Sequence, residues 1–294
     1  MGEQDQGATP GATTALTGST LAIVGAGIMA ESIVGGLLAK AMIPADRIVA
    51  SHPRADRRAA LEKRFGIRTV ERNAQAVIGA DLVALTVKPQ VIGSVMKELR
   101  AVLTPEQVVM SILAGANIAT LEQGLDHRKI VRVMPNTPAQ IGEGMSVWCA
   151  TPAVEPEERA RVRAALAALG EELEVETEKY VDMATALSGT GPTYVFLMME
   201  ALVDAGVHMG FPRRIAEEIV LQTVGGSVAF ARSSGKHLAE LRNMVTSPGG
   251  TSAEAIYQME KGGLRTVLSK SVYAAYQRTQ TLALEQERKV SAEG

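Results

Sequence analysis

The sequence predicts a doubly wound α/β domain followed by an all-α domain. Up to about residue 181, short aliphatic and β-branched runs alternate with stretches of helical period, and beyond it only helical patterns follow. A length of 294 residues with 46% hydrophobic side chains is enough for two domains, each with a core. We therefore expect a flexible tail over residues 1–19, an α/β domain over 20–181, a helical domain over 182–290, and a hinge near 180–186.

The first domain is predicted from strands and helices that alternate along the chain. Its apolar runs are short, rich in β-branched residues and closed by turn residues, which is typical of buried parallel strands: 20–24, 47–50, 81–87, 107–113 and 129–134. Helices are predicted between them at 29–40, 56–65, 90–99 and 118–124. Two edge strands, 147–149 and 172–175, are expected around a helix over 156–169.

The second domain is predicted to be entirely helical, over 192–208, 212–233, 237–245, 252–260 and 264–288. The stretch 194–207 is apolar almost all round, which predicts burial on every side. A domain of about 110 residues is too small to enclose such a helix alone, so we expect a partner subunit to cover part of it. The preferred assembly is an obligate homodimer.

Charge and residue usage exclude several classes of function. The 30 basic and 32 acidic residues are interspersed, so no basic face indicates nucleic-acid binding. The apolar stretches are too short or too charged to span a membrane, and residues 1–19 lack the pattern of a secretory signal. Cys149 is the only cysteine and is expected to be buried packing, while the four histidines lack metal-ligand spacing. We expect a soluble, cytoplasmic protein without a metal site.

The first chemical motif is GAGIMA at residues 25–30, directly after a predicted strand and opening a helix. It matches the G-x-G-x-x-G/A dinucleotide fingerprint, in which Gly25 permits the turn, Gly27 lets the backbone approach a pyrophosphate, and Ala30 allows close packing. A glycine turn in an ordinary α/β domain is the alternative. The strand–turn–helix context favours a Rossmann-type nucleotide site.

The end of the second strand points to NADPH as the preferred cofactor, with NADH as the second choice. An NAD site usually has an acidic residue here, whereas this chain has Ser51 followed by Arg54, which can bind a 2′-phosphate. The alternative is that Arg54, Arg57 and Arg58 form an ordinary solvated helix start.

Three further segments end predicted strands at the edge where open sheets bind ligands: 86–89, 113–115 and 134–138. Each alone is explained by turn chemistry. Together they favour the nicotinamide end of a cofactor cleft, to which we assign Asn136.

The segment 246–252, TSPGGTS, precedes a predicted helix that starts at Ser252 with Thr251 or Ser252 as its cap. Its glycines leave backbone N–H groups accessible, and a helix N-terminus attracts a carboxylate. The competing interpretation is a capping box in which Thr251 and Glu254 satisfy each other's backbone donors. The residues alone support the two interpretations equally, and a cap and an anion site can coexist.

Five segments together resemble pyrroline-5-carboxylate reductases: VGAGIMAE at 24–31, TVKP at 86–89, MPNTP at 134–138, LSGTGP at 187–192 and VTSPGGT at 245–251. The resemblance spans about residues 20–285 and implies a Rossmann domain, a helical domain interlocked with a second subunit, and NAD(P)H-dependent reduction of L-1-pyrroline-5-carboxylate to L-proline. Higher assembly up to a decamer is compatible with it.

The resemblance also implies which residues form the site. The cofactor is contacted by Val24, Gly25, Ala26, Gly27, Ile28, Met29, Ser51, Asn73, Val87, Lys88, Pro89, Ile112, Leu113 and Ala114. The substrate carboxylate is held by Ser247, Gly249, Gly250, Thr251 and Ser252, and the Ser252 hydroxyl is the favoured partner of the imine nitrogen. The chain departs from the family at Ile28, where Asn is common, at Ser252, where Thr is usual, and at Asn243, where Asp is frequent.

Two other functions remain open from the sequence. One is another NADP-dependent imine or β-hydroxyacid reductase, which would share the Rossmann half. The other is a catalytically silent NADP(H)-binding regulator in which the 246–252 loop is only a helix cap.

Overall fold

The computed structural model describes residues 15–293, with side chains as far as residue 288, and these form two compact units. One unit combines the chain up to Gly189 with the segment that begins at Ala275, and the other is Thr190–Ala274. The predicted fold class is confirmed, with a Rossmann-type sheet followed by helices. The domain limits 1–19, 20–181 and 182–290 stay predictions.

The first unit is built on one eight-stranded sheet with the order β3-β2-β1-β4-β5-β6-β7-β8. Its strands are β1 Leu21–Val24, β2 Ile48–Ser51, β3 Arg68–Val70, β4 Leu82–Leu85, β5 Val108–Ser111, β6 Ile130–Met134, β7 Gly144–Ala150 and β8 Gly170–Glu174. The first six strands run parallel, β7 is antiparallel to β6, and β8 is parallel to β7. The order 3-2-1-4-5-6 is that of dinucleotide-binding domains.

Helices cover both faces of this sheet. They are α1 Ile28–Ala39, α2 Ala55–Phe65, α3 Asn73–Val77, α4 Ile92–Arg100, α5 Ile118–Leu125, α6 Pro156–Ala167 and α7 Glu178–Ala184. Side chains of α1, α2 and α6 share one buried cluster with alternate strand residues such as Ile23, while α4 and α5 share a second with Val24. The strands β1, β2, β4, β5 and β6 are therefore buried on both faces, which accounts for their largely apolar sequences.

The structure adds three elements that the sequence analysis missed, β3, α3 and α7. The helix α7 covers part of the segment 180–186, where a hinge was expected. The elements β3 and α3 contain three and five residues, too few to show a period. It also packs the end of the predicted tail: Leu16 is 3% exposed and belongs to the core, so residues 15–19 are not a free tail. The tail predicted over residues 1–14 lies outside the described residues.

The second unit is helical, as predicted. Its helices are α8 Gly191–His208, α9 Arg213–Ser234, α10 Leu238–Met244, α11 Thr251–Lys261 and the start of α12 Leu264–Glu293. The helices α8 and α9 approach closely at Gly206, where an added Cβ would lie 3.0 Å from the Cβ of Ala216. Asp204 accepts a hydrogen bond from Arg213 of its own chain at 2.7 Å, so this ion pair forms without a second subunit.

The predicted burial of α8 on every side is not reached within one chain. Phe196 is 58% exposed and Leu197 65%, and several large apolar residues of the other helices are equally uncovered, including Leu221, Phe230, Tyr257 and Val267. A surface of this kind marks an association site.

Within the described residues no helix is long and apolar enough to cross a membrane, and no cluster of three or more His, Cys, Asp or Glu side chains could hold a metal.

Candidate active site

The sheet register brings the carboxyl ends of the parallel strands to one edge. Val24 pairs with Ser51 and with Leu85, and Leu85 pairs with Ser111. The loops that follow these strands contain most of the predicted cofactor residues, because a parallel sheet collects such loops at its carboxyl edge. The structure therefore places the predicted cofactor residues of 24–29, 51–54, 87–89 and 112–114 along one edge of the first unit.

The fingerprint loop has the geometry that a pyrophosphate requires. Gly25 has φ +97°, and a Cβ there would lie 2.7 Å from Cγ1 of Val87, so only glycine fits between the two loops. At Gly27 an added Cβ would project into open space with nothing within 4 Å. Gly27 is also the N-cap of α1 and offers no capping side chain. The first amides of α1 thus remain available for a phosphate.

Three side chains of the loop differ in their exposure to solvent. Ile28 is 65% exposed, whereas Ala26 is 1% exposed, and Met29 lies between these extremes. Ile28 therefore places an exposed apolar side chain at the start of α1, next to the predicted phosphate site.

Ser51 is fully buried and does not present its hydroxyl to solvent. That hydroxyl donates to Oδ1 of Asn73 at 2.8 Å, and Nδ2 of Asn73 donates to Oε2 of Glu98 at 2.7 Å. Glu98 also accepts from the backbone N–H of Ala74 at 3.0 Å. Ser51 and Glu98 therefore fix the orientation of the Asn73 amide.

Arg54 lies open to solvent after β2. Its side chain is 71% exposed and is paired with Asp56 through two hydrogen bonds. The adjacent His52 accepts from the backbone N–H of Arg54, and burial lowers the pKa of the His52 imidazole. Arg54 can exchange its surface partner for a phosphate at small cost, since exposed ion pairs contribute little.

The loops after β4 and β5 are supported by the last helix. The carbonyl of Pro89 accepts from Nε2 of Gln286 at 3.0 Å, and Gly115, with φ +81°, lies against the backbone of Leu282. Lys88 is exposed, and Leu113 is buried. These contacts hold the segments that contain Val87, Lys88, Pro89, Ile112, Leu113 and Ala114.

Asn136 is held by protein contacts within the first unit. Its Oδ1 accepts from the N–H of Met145 at 2.9 Å, and its Nδ2 donates to Oγ of Ser188 at 3.3 Å. The side chain thus ties β6 to the turn before α8. Its predicted cofactor contact stays a prediction.

The 246–252 loop leads into α11 through a glycine cap, and the capping box that was the alternative interpretation does not form. The helix begins at Thr251 with Gly250 as N-cap, so the predicted start at Ser252 with a Thr251 or Ser252 cap is also wrong. The Glu254 carboxylate accepts from Gln258 instead of from the backbone, at 2.9 Å. Gly250 lies close to Ser247, whose Oγ would be 2.5 Å from a Cβ added at this position.

The glycine cap leaves donors at the helix start without an internal acceptor. Gly249 has φ +71°, which turns the chain so that the N–H of Gly250 donates to the Ser247 carbonyl at 3.0 Å. The amides of Thr251 and Ser252, and both their hydroxyls, make no hydrogen bond within the described part of the chain. Such a cluster at a helix N-terminus is complementary to a carboxylate.

Comparison with known proteins identifies the family. Residues 178–282 match the model for pyrroline-5-carboxylate reductase dimerisation, and residues 20–115 match a model described as NADP oxidoreductase, coenzyme F420-dependent. The pyrroline-5-carboxylate reductase of Pseudomonas aeruginosa is 42% identical over 264 residues, which cover 90% of this chain and 96% of that protein. The chain belongs to the pyrroline-5-carboxylate reductase family.

Solved structures agree with this assignment to the pyrroline-5-carboxylate reductases. The enzyme of Coxiella burnetii superposes with a TM-score of 0.85 at 34% identity, covering 90% of this chain and 98% of that one. The pyrroline carboxylate reductase of Plasmodium falciparum, solved with NADP bound, superposes with a TM-score of 0.83 at 31% identity, with the same coverage. The protein is therefore an NAD(P)H-dependent oxidoreductase whose helical region mediates self-association.

A thiol mechanism is not needed for this reductase. Cys149 is buried, as predicted, and burial raises the pKa of its thiol to about 11, with the nearby Glu178 carboxylate adding to the rise. The thiol is therefore protonated and unreactive at neutral pH.

Sequence reasoning missed two groups that support the reductase site, Glu98 and Gln286. Neither belongs to a motif, and each acts through a residue distant in the chain. The sequence signal that could reveal such a group is a polar residue among the apolar residues of a buried helix face. Glu98 shows this signal, because it follows Val95 and Met96 and precedes Leu99 on α4.

The two glycines of the fingerprint predict separable effects of Gly27→Ala and Gly25→Ala. We expect Gly27→Ala to melt like the parent protein, because its new methyl group meets no protein atom, and to bind NADPH at least about tenfold more weakly. We expect Gly25→Ala to lower the melting temperature, because it adds strain and a clash. Thermal melting and NADPH titration followed by fluorescence measure both, and unchanged NADPH affinity in Gly27→Ala would contradict the proposed cradle.

Proposed function

We propose that this protein reduces L-1-pyrroline-5-carboxylate to L-proline as the last step of proline biosynthesis, with NADPH preferred over NADH. The observation that carries the proposal is the glycine-capped start of α11, where two amides and two hydroxyls lack internal partners in a chain of this family. A small carboxylate fits that donor set, and a cyclic imine supplies the acceptor for a hydride.

The substrate loop binds by backbone donors and hydroxyl groups. The amides of Thr251 and Ser252, with the helix dipole, bind the carboxylate, and Ser247 offers a further hydroxyl. Gly249 and Gly250 allow the turn and the close approach that expose those donors. No lysine or arginine is needed, because the charge is spread over several preorganised donors.

Ser252 is the residue that orients the reacting nitrogen. The imine binds as its iminium, so its nitrogen already has the proton that the product amine retains, and the Ser252 hydroxyl accepts a hydrogen bond from that N–H. When bound, the reduced nicotinamide supplies the hydride. Catalysis then depends on orientation more than on a strong acid.

The preference for NADPH over NADH depends on the residues that bind the adenosine half of the cofactor. The exposed Arg54 pairs with the 2′-phosphate of NADPH, and the Asn73 amide, held by Ser51 and Glu98, binds the ribose region. The backbone at Val24, Gly25, Gly27 and Met29 holds the pyrophosphate, and the segments around Lys88, Leu113 and Asn136 face the nicotinamide end.

The proposed assembly is an interlocked homodimer, with a decamer as the larger form to be tested. It would cover the exposed apolar side chains of α8 and its neighbours. The mixed surface charge offers no nucleic-acid site. The single cysteine of the chain is buried and forms no disulfide, which suits the cytoplasm because thiols stay reduced there.

Steady-state turnover tests the function directly. The purified protein is incubated with pyrroline-5-carboxylate and either NADPH or NADH, and L-proline formation is measured beside cofactor oxidation. We expect equal amounts of L-proline and oxidised cofactor, and a higher kcat/KM with NADPH. Turnover of an acyclic β-hydroxyacid without turnover of the cyclic imine, or cofactor binding without any turnover, would overturn the proposal.

A further inference from the structure

Arg57 contacts the fingerprint loop from the neighbouring helix α2. Its Nε donates to the carbonyl of Ala26 at 2.8 Å, and its NH2 donates to the carboxylate of Glu31. Ala26 lies between the two glycines of the phosphate cradle and is 1% exposed. One guanidinium therefore holds both the loop and the first turn of the helix that follows it.

Glu31 creates an electrostatic problem that Arg57 relieves. A carboxylate in the first turn of α1 is favoured by the helix dipole, but it also repels a pyrophosphate bound at the same helix start. The carboxylate is 20% exposed and pairs with both Arg57 and Arg64. These two cations leave the helix start with a net positive charge when the cofactor arrives.

The neighbouring arginines have different contacts. Arg58 donates to the carbonyls of His52 and Pro53, at 2.8 and 2.9 Å, and so fixes the loop after β2. Arg54 is exposed and contacts only Asp56 by its side chain among the described residues. Of the three, Arg57 is the one bonded to the pyrophosphate loop, which replaces the interpretation of all three as a solvated helix start.

We propose that Arg57 is a positioning residue for the pyrophosphate cradle, whereas Arg54 alone reads the 2′-phosphate. The inference rests on the proposed use of NAD(P)H. Arg57 keeps the Ala26 carbonyl turned towards α2, so that the loop amides point outward, and it neutralises Glu31. Because NADPH and NADH share the pyrophosphate, Arg57 acts equally on both, and Arg54 acts on NADPH only.

Direct binding to the unliganded full-length protein tests this division, by calorimetry with NADPH, NADH, ADP-ribose and adenosine 2′-monophosphate. We expect Arg57→Ala to weaken NADPH, NADH and ADP-ribose alike, by roughly tenfold. Its affinity for adenosine 2′-monophosphate, which lacks a pyrophosphate, should not change, and this shows that the site is still folded. Arg54→Ala should weaken NADPH and adenosine 2′-monophosphate but not NADH.

Two further variants separate positioning from direct phosphate contact. In a Glu31→Gln background the loss caused by Arg57→Ala should shrink, because no carboxylate remains to be neutralised, whereas a direct phosphate contact would keep the loss in full. Arg57→Lys should recover part of the affinity, since it keeps the charge but lacks the second donor. Arg100→Ala, which removes an exposed arginine paired with Asp126, is the charge-matched control and should bind all four ligands normally.

Each outcome bears on a different claim. If the parent protein binds neither dinucleotide, the proposed cofactor is wrong. If the parent protein binds both and Arg57→Ala weakens only NADPH, or weakens neither, the inference about Arg57 is overturned while the proposed function stands.

Discussion

Replacing Ser252 by alanine should lower kcat with pyrroline-5-carboxylate by on the order of 10²-fold while leaving NADPH affinity unchanged. Ser252 lies in the first turn of α11, and its hydroxyl makes no hydrogen bond within the described residues. The alanine variant therefore loses no capping interaction, and its melting temperature should stay close to that of the parent protein. Steady-state kinetics, NADPH titration and thermal melting give the three readouts.

The threonine variant provides the matched control. Ser252→Thr keeps the hydroxyl and restricts its rotamers, so kcat should equal or exceed that of the parent protein. If Ser252→Ala turns over normally, the hydroxyl does not orient the imine nitrogen. If both variants fail equally, packing at the helix start matters instead of the hydroxyl.

The parallel sheet could be predicted because most of its strands are buried on both faces. Continuous apolar runs such as those of β1 and β4 are required there, and a helix such as α4 buries residues at helical spacing, Ile92, Val95, Met96 and Leu99. The short β3 and α3 escape the same reasoning, since a few residues cannot display a period. Yet α3 begins at Asn73, where the Ser51 and Glu98 contacts meet, so the part missed by pattern lies at the candidate site.

The substrate loop shows where local sequence logic is insufficient. The residues Thr251 and Glu254 have the spacing of a capping box, but spacing cannot show which residue is the N-cap, the last residue before the helix. The structure decides that question, because Gly250 is the N-cap and Thr251 is already the first helical residue. The observed glycine cap suits an anion site better than the capping box would, because it leaves more backbone donors free than a threonine cap does.

The charged groups near the cofactor edge were assigned by type, and their partners could not be predicted. Ser51 and Arg57 both lie near the end of β2 in the sequence, yet one is buried behind Asn73 and the other contacts Ala26. Both contacts join residues more than 20 positions apart. Contacts between residues so far apart in the sequence depend on the tertiary fold, which local sequence patterns do not reveal.

Replacing Arg132 by methionine should lower the free energy of unfolding by about 3–5 kcal/mol, the largest stability effect that we expect. Arg132 is 1% exposed on β6 and donates to Glu178 and to Asp182, both at 2.7 Å. Both acceptors lie on α7, so one guanidinium joins the sheet to the helix before α8. Methionine fills a similar volume but leaves two partly buried carboxylates without their cation.

A surface arginine with the same kind of partners separates burial from charge. Arg163 is 50% exposed and pairs with Glu172 and Glu174, so Arg163→Met should cost less than about 1 kcal/mol. Urea unfolding of both variants gives the comparison. Adding Glu178→Gln and Asp182→Asn to Arg132→Met should restore much of the lost free energy of unfolding, because the penalty comes from the unpaired carboxylates. If stability does not recover, packing around Arg132, and not its charge, holds α7 on the sheet.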